Sequence, residues 1–156
     1  MEQGYLLDSN VIIGYLAGKI PSSGMEVVSG IIANRPNISV ISQIEVLRFN
    51  DTPENEAVLE EFINMSKIHP LSNSIVEHTI KLCKQMKIKL PDAIIAATAI
   101  IENFTLVTWN IDDFKKISGL VLLDPWNIPV IEDKELITSF LMSGLLKESP
   151  DCLQHN

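Results

Sequence analysis

Apolar and polar positions along this chain fall into short blocks whose period keeps changing. Tyr5-Leu6-Leu7 is a brief apolar run closed by Asp8-Ser9-Asn10, after which Val11, Ile12, Tyr15 and Leu16 recur at helical spacing. An uninterrupted apolar run bounded by polar residues predicts a buried strand, and the recurrence after it predicts a helix capped by Ser9 or Asn10. The same alternation continues. Further strands are expected over residues 38–41, 104–108 and 121–123, with residues 68–71 a short strand or a connector. Between them the pattern predicts helices over 25–33, from Ser42 onward, from Thr52-Pro53 to about Met65 and over 74–86. Residues 18–24 read as a loop, and the last helix is expected over 132–146.

In the helix over 74–86, Ile75, Thr79, Ile80, Cys83 and Met86 are expected to face inward, with Lys81 and Lys84 outward. The most apolar stretch is Leu90-Pro91-Asp92-Ala93-Ile94-Ile95-Ala96-Ala97-Thr98-Ala99-Ile100. Pro91 suits a helix start, because its missing N–H is one the first turn leaves unpaired anyway. The run behind it predicts a helix buried on nearly every face. Strands alternating with helices over the whole length imply an α/β fold, a three-layer sandwich with a mainly parallel central sheet flanked by helices. The expected domain spans 1–126, and 127–156 forms a C-terminal extension, a helix packed on that domain or on a second copy.

Composition narrows the class. An apolar content of 46% over 156 residues is enough for one buried core, and no apolar run reaches the roughly 20 residues a membrane helix needs. With no basic leader and only Cys83 and Cys152 as thiols, the expectation is a soluble cytoplasmic protein without disulfides. A net charge of −8 argues against non-specific nucleic-acid binding. The charge is uneven, however. Residues 1–78 hold 4 basic and 10 acidic side chains, residues 79–123 hold 6 and 4, and residues 124–156 hold 2 and 6. The one net-positive segment contains Asp92, and Lys84, Lys87 and Lys89 precede it as candidate contacts for a phosphate backbone.

Several predicted strands end in polar clusters, so Asp8, Glu45, Asp92 and Asp113 are expected to project from one edge of the sheet, where chemistry collects in open α/β folds. Each acid also has a plain structural reading. Asp8 suits a turn, and Asp92 suits the first turn of a helix, where the macrodipole favours negative charge. Ser42-Gln43-Ile44-Glu45 has capping-box spacing, so the Glu45 carboxylate has a role available at the Ser42 N–H. There is no Gly-rich phosphate loop, no G-x-S-x-G elbow and no His or Cys cluster, and with 3 histidines a His-based triad is disfavoured. Converging carboxylates repel one another unless a cation lies among them, and hard oxygen ligands select Mg²⁺ or Mn²⁺. Such an ion supports phosphodiester hydrolysis. Ser9 and Asn10, beside Asp8, are candidate substrate contacts as well as caps.

The blocks Tyr5-Leu6-Leu7-Asp8-Ser9-Asn10-Val11-Ile12, Ile41-Ser42-Gln43-Ile44-Glu45-Val46, Leu90-Pro91-Asp92-Ala93-Ile94-Ile95-Ala96-Ala97-Thr98-Ala99 and Leu106-Val107-Thr108-Trp109-Asn110-Ile111-Asp112-Asp113-Phe114 resemble, in order and spacing, the signature blocks of the PIN-domain family, above all its VapC-like toxin branch. Leu123-Asp124-Pro125-Trp126 is similar to the end of several such toxins. The resemblance implies a parallel sheet flanked by helices, Mg²⁺ or Mn²⁺, ribonuclease activity on structured RNA such as tRNA or rRNA, a homodimer, and a small antitoxin as partner. It also implies that Asp8, Glu45 and Asp92 are metal ligands and water activators. At the fourth acidic position this chain has Asn110, and Asp113 follows one turn later; either completes the site. Trp109 stands where relatives often have a basic or small residue.

Two other readings exist. Phosphoryl transfer in the haloacid-dehalogenase style also begins with an acid after the first strand, but it wants a second Asp where this chain has Asn10. A non-catalytic module of the same fold would instead use its acidic pocket to bind a partner, for example through an arginine.

Overall fold

The computed structural model describes residues 4–129. β1 (Gly4–Leu7) leads into α1 (Ser9–Leu16) and α2 (Ser22–Ile32), then β2 (Asn37–Ser39), α3 (Val40–Leu47), α4 (Pro53–Met65) and β3 (Lys67–His69). The second half comprises α5 (Asn73–Gln85), α6 (Leu90–Ile101), β4 (Phe104–Val107), α7 (Ile111–Phe114) and β5 (Leu122–Leu123). The strands form one sheet in the order β3-β2-β1-β4-β5, and every neighbouring pair is parallel.

Side chains alternate between faces along a strand, and here both faces are apolar. Leu6 and Leu106 point into a core built with Ile75, Leu82, Ile95 and Phe114, from α5, α6 and α7. Their neighbours Leu7 and Val107 point into a second core with Val11, Val28, Val46 and Phe62, from α1 to α4. These two cores make the sheet the middle of three layers. The α6 stretch from Ala93 to Ala99 is fully buried, as its composition predicts. Among the described residues, no helix is long and apolar enough to cross a membrane.

The strand order reverses at β1, with β2 on one side and β4 on the other. Leu7 is in register with Val107, so the residues just beyond them, Asp8 and Thr108, leave the sheet side by side. This is the switch point at which open α/β sheets part their loops and form a cleft.

Several boundaries differ from the sequence pattern. The strand expected over 38–41 stops at Ser39, whose Oγ accepts from Ile41 N at 3.1 Å and caps α3. Ser42 consequently lies inside the helix, buried, and its Oγ has no hydrogen-bond partner. The Ser42–Glu45 capping box does not form. α2 starts at Ser22, inside the expected loop. On α5 the inward residues are Ile75, Thr79 and Leu82, whereas Ile80 and Cys83 are exposed, because a narrow stripe suffices against the small side chains of α6. Residues 68–71 resolve into β3 followed by a turn, and buried His69 bonds Asn37 Oδ1 through Nε2 at 3.0 Å. The expected helix over 132–146, most of the 127–156 extension and Cys152 lie outside the described residues.

Candidate active site

Asp8 ends β1 and caps α1. Its backbone is extended, and its Oδ1 accepts from Ser9 N at 2.8 Å. Oδ2 accepts from Thr108 Oγ1 at 2.9 Å and from Asn10 Nδ2 at 3.2 Å. The carboxyl is only 5% exposed. Burial penalises its charged form and pushes its pKa up to about 6, against the pull of the Thr108 and Ser9 hydrogen bonds, and the negative Glu45 and Asp92 push the same way as burial.

Freed from capping duty, Glu45 lies on the second turn of α3 and accepts from Ser9 Oγ at 3.4 Å. Its pKa is raised by burial and by Asp92, and lowered by Ser9 and Arg48. Asp92, in the first turn of α6, is half-buried. Its pKa is raised by desolvation and then by Asp113, with Lys89 opposing. Asp8, Glu45, Asp92 and Asp113 are thus joined by mutual repulsion, which is the arrangement expected of a site for a cation. Asp113 is exposed at the start of α7 and accepts from Asn110 Nδ2 at 2.6 Å. Asn110 N donates to Thr108 Oγ1 at 3.1 Å, which ties this corner back to Asp8.

Among the described residues, no group of three or more His, Cys, Asp or Glu side chains is close enough to enclose an ion directly. The acids feel one another without touching. Mg²⁺ usually keeps several waters and takes only one or two carboxylates directly, so spaced oxygen donors with no soft ligands suit a hard divalent ion.

Two depressions flank Asp8. One, of about 360 Å³, is lined by Lys87, Ile88, Lys89, Asp92, Asp112, Asp113 and Lys116. The other, of about 470 Å³, is lined by Ser9, Ile13, Glu45, Arg48, Phe49 and Asn50. The candidate contacts Lys87 and Lys89 therefore reach the acids. Lys84 does not line either depression; it is exposed in the last turn of α5. Ser9 bridges to Glu45. Both ends of the Asn10 amide are already engaged, by Asp8 and Thr108 at Nδ2 and by Trp109 N at Oδ1. Sequence reasoning missed Thr108, Arg48 and Lys116. A strand-end threonine signals itself only once its register with β1 is known.

The model of the PIN domain matches residues 5–120. The chain belongs to the PIN-domain family. It is 30% identical over 129 residues to Ribonuclease VapC2 of Rickettsia felis, a match covering 76% of this chain and 95% of that protein. Among solved structures, a toxin-antitoxin complex from Klebsiella pneumoniae contains a chain 29% identical with a TM-score of 0.64, covering 80% of this chain and 100% of that one. VapBC2 from Rickettsia felis, solved bound to a DNA fragment from their promoter, gives 27% identity and a TM-score of 0.64 over 76% of this chain and 96% of that one. In this PIN-domain chain, then, Asp8 follows β1 at the switch point, with Glu45 on α3 and Asp92 in the first turn of α6.

Proposed function

We propose that this PIN-domain chain is a metal-dependent endoribonuclease, the toxin of a toxin–antitoxin pair acting in the cytoplasm. The observation that carries the reading is the electrostatic coupling of Asp8, Glu45 and Asp92 at the switch point, without a basic side chain hydrogen-bonded to any of them among the described residues. The likeness to Ribonuclease VapC2 supplies the substrate class.

Asp8, Glu45 and Asp92 hold Mg²⁺ or Mn²⁺, and Asp113 completes the donor set, with Asn110 orienting it through their hydrogen bond. Held by these residues, such an ion would supply Lewis acidity toward a water and toward the charge that develops on the phosphodiester. The chain's own groups do the rest. Thr108 and Ser9 fix the Asp8 carboxylate through both oxygens, so its position does not depend on the ligand. Lys87, Lys89 and Lys116 neutralise phosphates along the groove beside Asp92. The RNA is of a structured class such as tRNA or rRNA, the chain acts as a homodimer, and a small antitoxin restrains it.

The test is RNA cleavage by the purified chain with Mn²⁺ or Mg²⁺, with EDTA, and by an Asp92→Asn variant prepared identically. Cleavage lost in EDTA and in the variant is expected. A parent that cleaves nothing, or a variant that cleaves as well as the parent, sinks the reading. The wide spacing of the acids favours one alternative, a partner-binding module without catalysis. Absence of Mn²⁺ binding by calorimetry would decide for it.

A further inference from the structure

Resting on the ribonuclease reading, we infer that Trp109 is a stacking platform for an unpaired nucleobase of the RNA substrate, set beside the acids by the Asn10–Thr108 network and braced by Trp126. Trp109 is 59% exposed, an unusual amount of aromatic surface to leave in water at the rim of a site. It is not a loosely hanging side chain. Its backbone N–H donates to Asn10 Oδ1 at 3.2 Å, and the next backbone N–H, of Asn110, donates to Thr108 Oγ1 at 3.1 Å. The same Asn10 amide and Thr108 hydroxyl hold Asp8, so the backbone that carries the indole is registered to the carboxylate through two short bridges.

The ring is also supported from the other side. Trp126 meets it edge to face, with centroids 5.5 Å apart and planes at 67°. Trp126 is placed in turn by its backbone N–H on Asp124 Oδ1 at 2.9 Å and by the absence of a side chain on α1 at Gly14, where a Cβ would come within 2.7 Å of the indole. A pre-positioned aromatic loses little side-chain entropy on binding, which is what stacking on a flexible strand requires.

Charge favours RNA over a protein as the occupant. In a chain of net charge −8, Lys87, Lys89 and Lys116 line one depression together with Asp92, Asp112 and Asp113, and Arg48 lines the other beside Glu45. Cations that track a backbone and an aromatic face for the bases are the two components of single-strand binding, and Trp109, two residues past the end of β4, supplies the second. The base so held lies in an unpaired segment next to the cleaved bond, and stacking alone makes the contact tolerant of base identity.

The test compares the parent chain with Trp109→Ala and Trp109→Phe on a single-stranded RNA that the parent cleaves, and on a series of the same RNA carrying one abasic residue at successive positions near the cut. Trp109→Ala is expected to lose roughly 5- to 150-fold in kcat/KM, the range expected for one lost base–aromatic stack, with Trp109→Phe retaining most of the activity. One abasic position should cost the parent a similar factor and cost Trp109→Ala little, since the lost partners are the same pair. Thermal melting of the variants controls for folding, and the abasic series on the parent needs no variant at all. Equal cleavage by parent and Trp109→Ala, or an abasic series with no sensitive position, overturns the inference while leaving the ribonuclease reading intact. If Trp109→Ala changes the oligomeric state and not the cleavage of RNA, the tryptophan pair belongs to a protein interface and the inference falls. A parent that cleaves no RNA removes both readings together.

Discussion

Thr108 Oγ1 donates to Asp8 Oδ2 at 2.9 Å across the junction of β1 and β4, joining residues 100 apart in sequence. The hydroxyl is fully buried, and it also accepts from Asn10 Nδ2 and Asn110 N. One small side chain therefore links the end of each central strand to the helix that follows it. Thr108→Val keeps the shape and removes the hydroxyl, leaving a buried carboxylate oxygen and two amide donors short of a partner. A loss of about 1–3 kcal/mol in unfolding free energy is expected. Thr108→Ser should recover most of it. Urea unfolding of the pair checks this, and a Val variant as stable as the parent would contradict the network.

Asp8 gives the metal-free chain a definite pH dependence. Its folded-state pKa, about 6, lies above the ordinary carboxylate value of 3.8, so the folded state binds the proton more tightly than the unfolded state does. Stability from this group is fully present below the unfolded value and is lost as pH rises through the folded one. From below about pH 3 to above about pH 7 the parent should lose on the order of 3 kcal/mol relative to Asp8→Asn, which does not titrate, most of it between about pH 4 and pH 6. Unfolding measured in EDTA across that window tests the sign. A parent whose advantage over Asp8→Asn grows with pH would place the burial of Asp8 in error.

Helix α3 is where the sequence pattern and the fold part company most usefully. Val40 and Ile41 continue an apolar, β-branched run, and Ser42 with Glu45 then has the spacing of a capping box, so a strand through 41 is the natural reading. The chain turns earlier because Ser39 supplies the cap. Ser39→Ala should cost about 1 kcal/mol, the usual worth of an N-cap. Ser42→Ala, which removes a buried hydroxyl without a partner, should be neutral or stabilising. The reverse ranking in thermal melts would restore the capping box and take Glu45 out of the acidic group.

The same contrast holds elsewhere. Asp8, Glu45, Asp92 and Asp113 are legible because an acid after an apolar strand or at the head of a buried helix is conspicuous in sequence. The alternation of strands and helices likewise makes the layered, parallel architecture legible. What depends on register or on packing is not. Thr108 matters only because Leu7 and Val107 are paired, and Lys116 reaches the groove from a distant segment, whereas Lys84, nearer in sequence to Asp92, does not line it. On α5, the periodicity places Cys83 on the inner face, and packing against the small side chains of α6 puts Leu82 there instead.

If the acids hold a divalent ion, adding it should stabilise the fold, because an ion that binds the folded chain shifts the equilibrium by mass action. At 100 times its dissociation constant, Mn²⁺ should add about 2.7 kcal/mol, and EDTA should reverse the gain. The variants distinguish the fourth donor. Asp113→Asn leaves the Asn110 corner neutral and should weaken both the metal-induced rise in melting temperature and RNA cleavage. Asn110→Ala removes the 2.6 Å hydrogen bond but no charge, so it should leave the rise nearly intact while lowering cleavage through a loosened Asp113. Glu45→Gln and Asp92→Asn should abolish the rise, and in its absence each should melt higher than the metal-free parent, since each relieves repulsion within the group. A parent indifferent to Mn²⁺, or an Asp92→Asn variant that still responds to it, would mean that the repulsion among these carboxylates is borne for some other purpose than holding a cation.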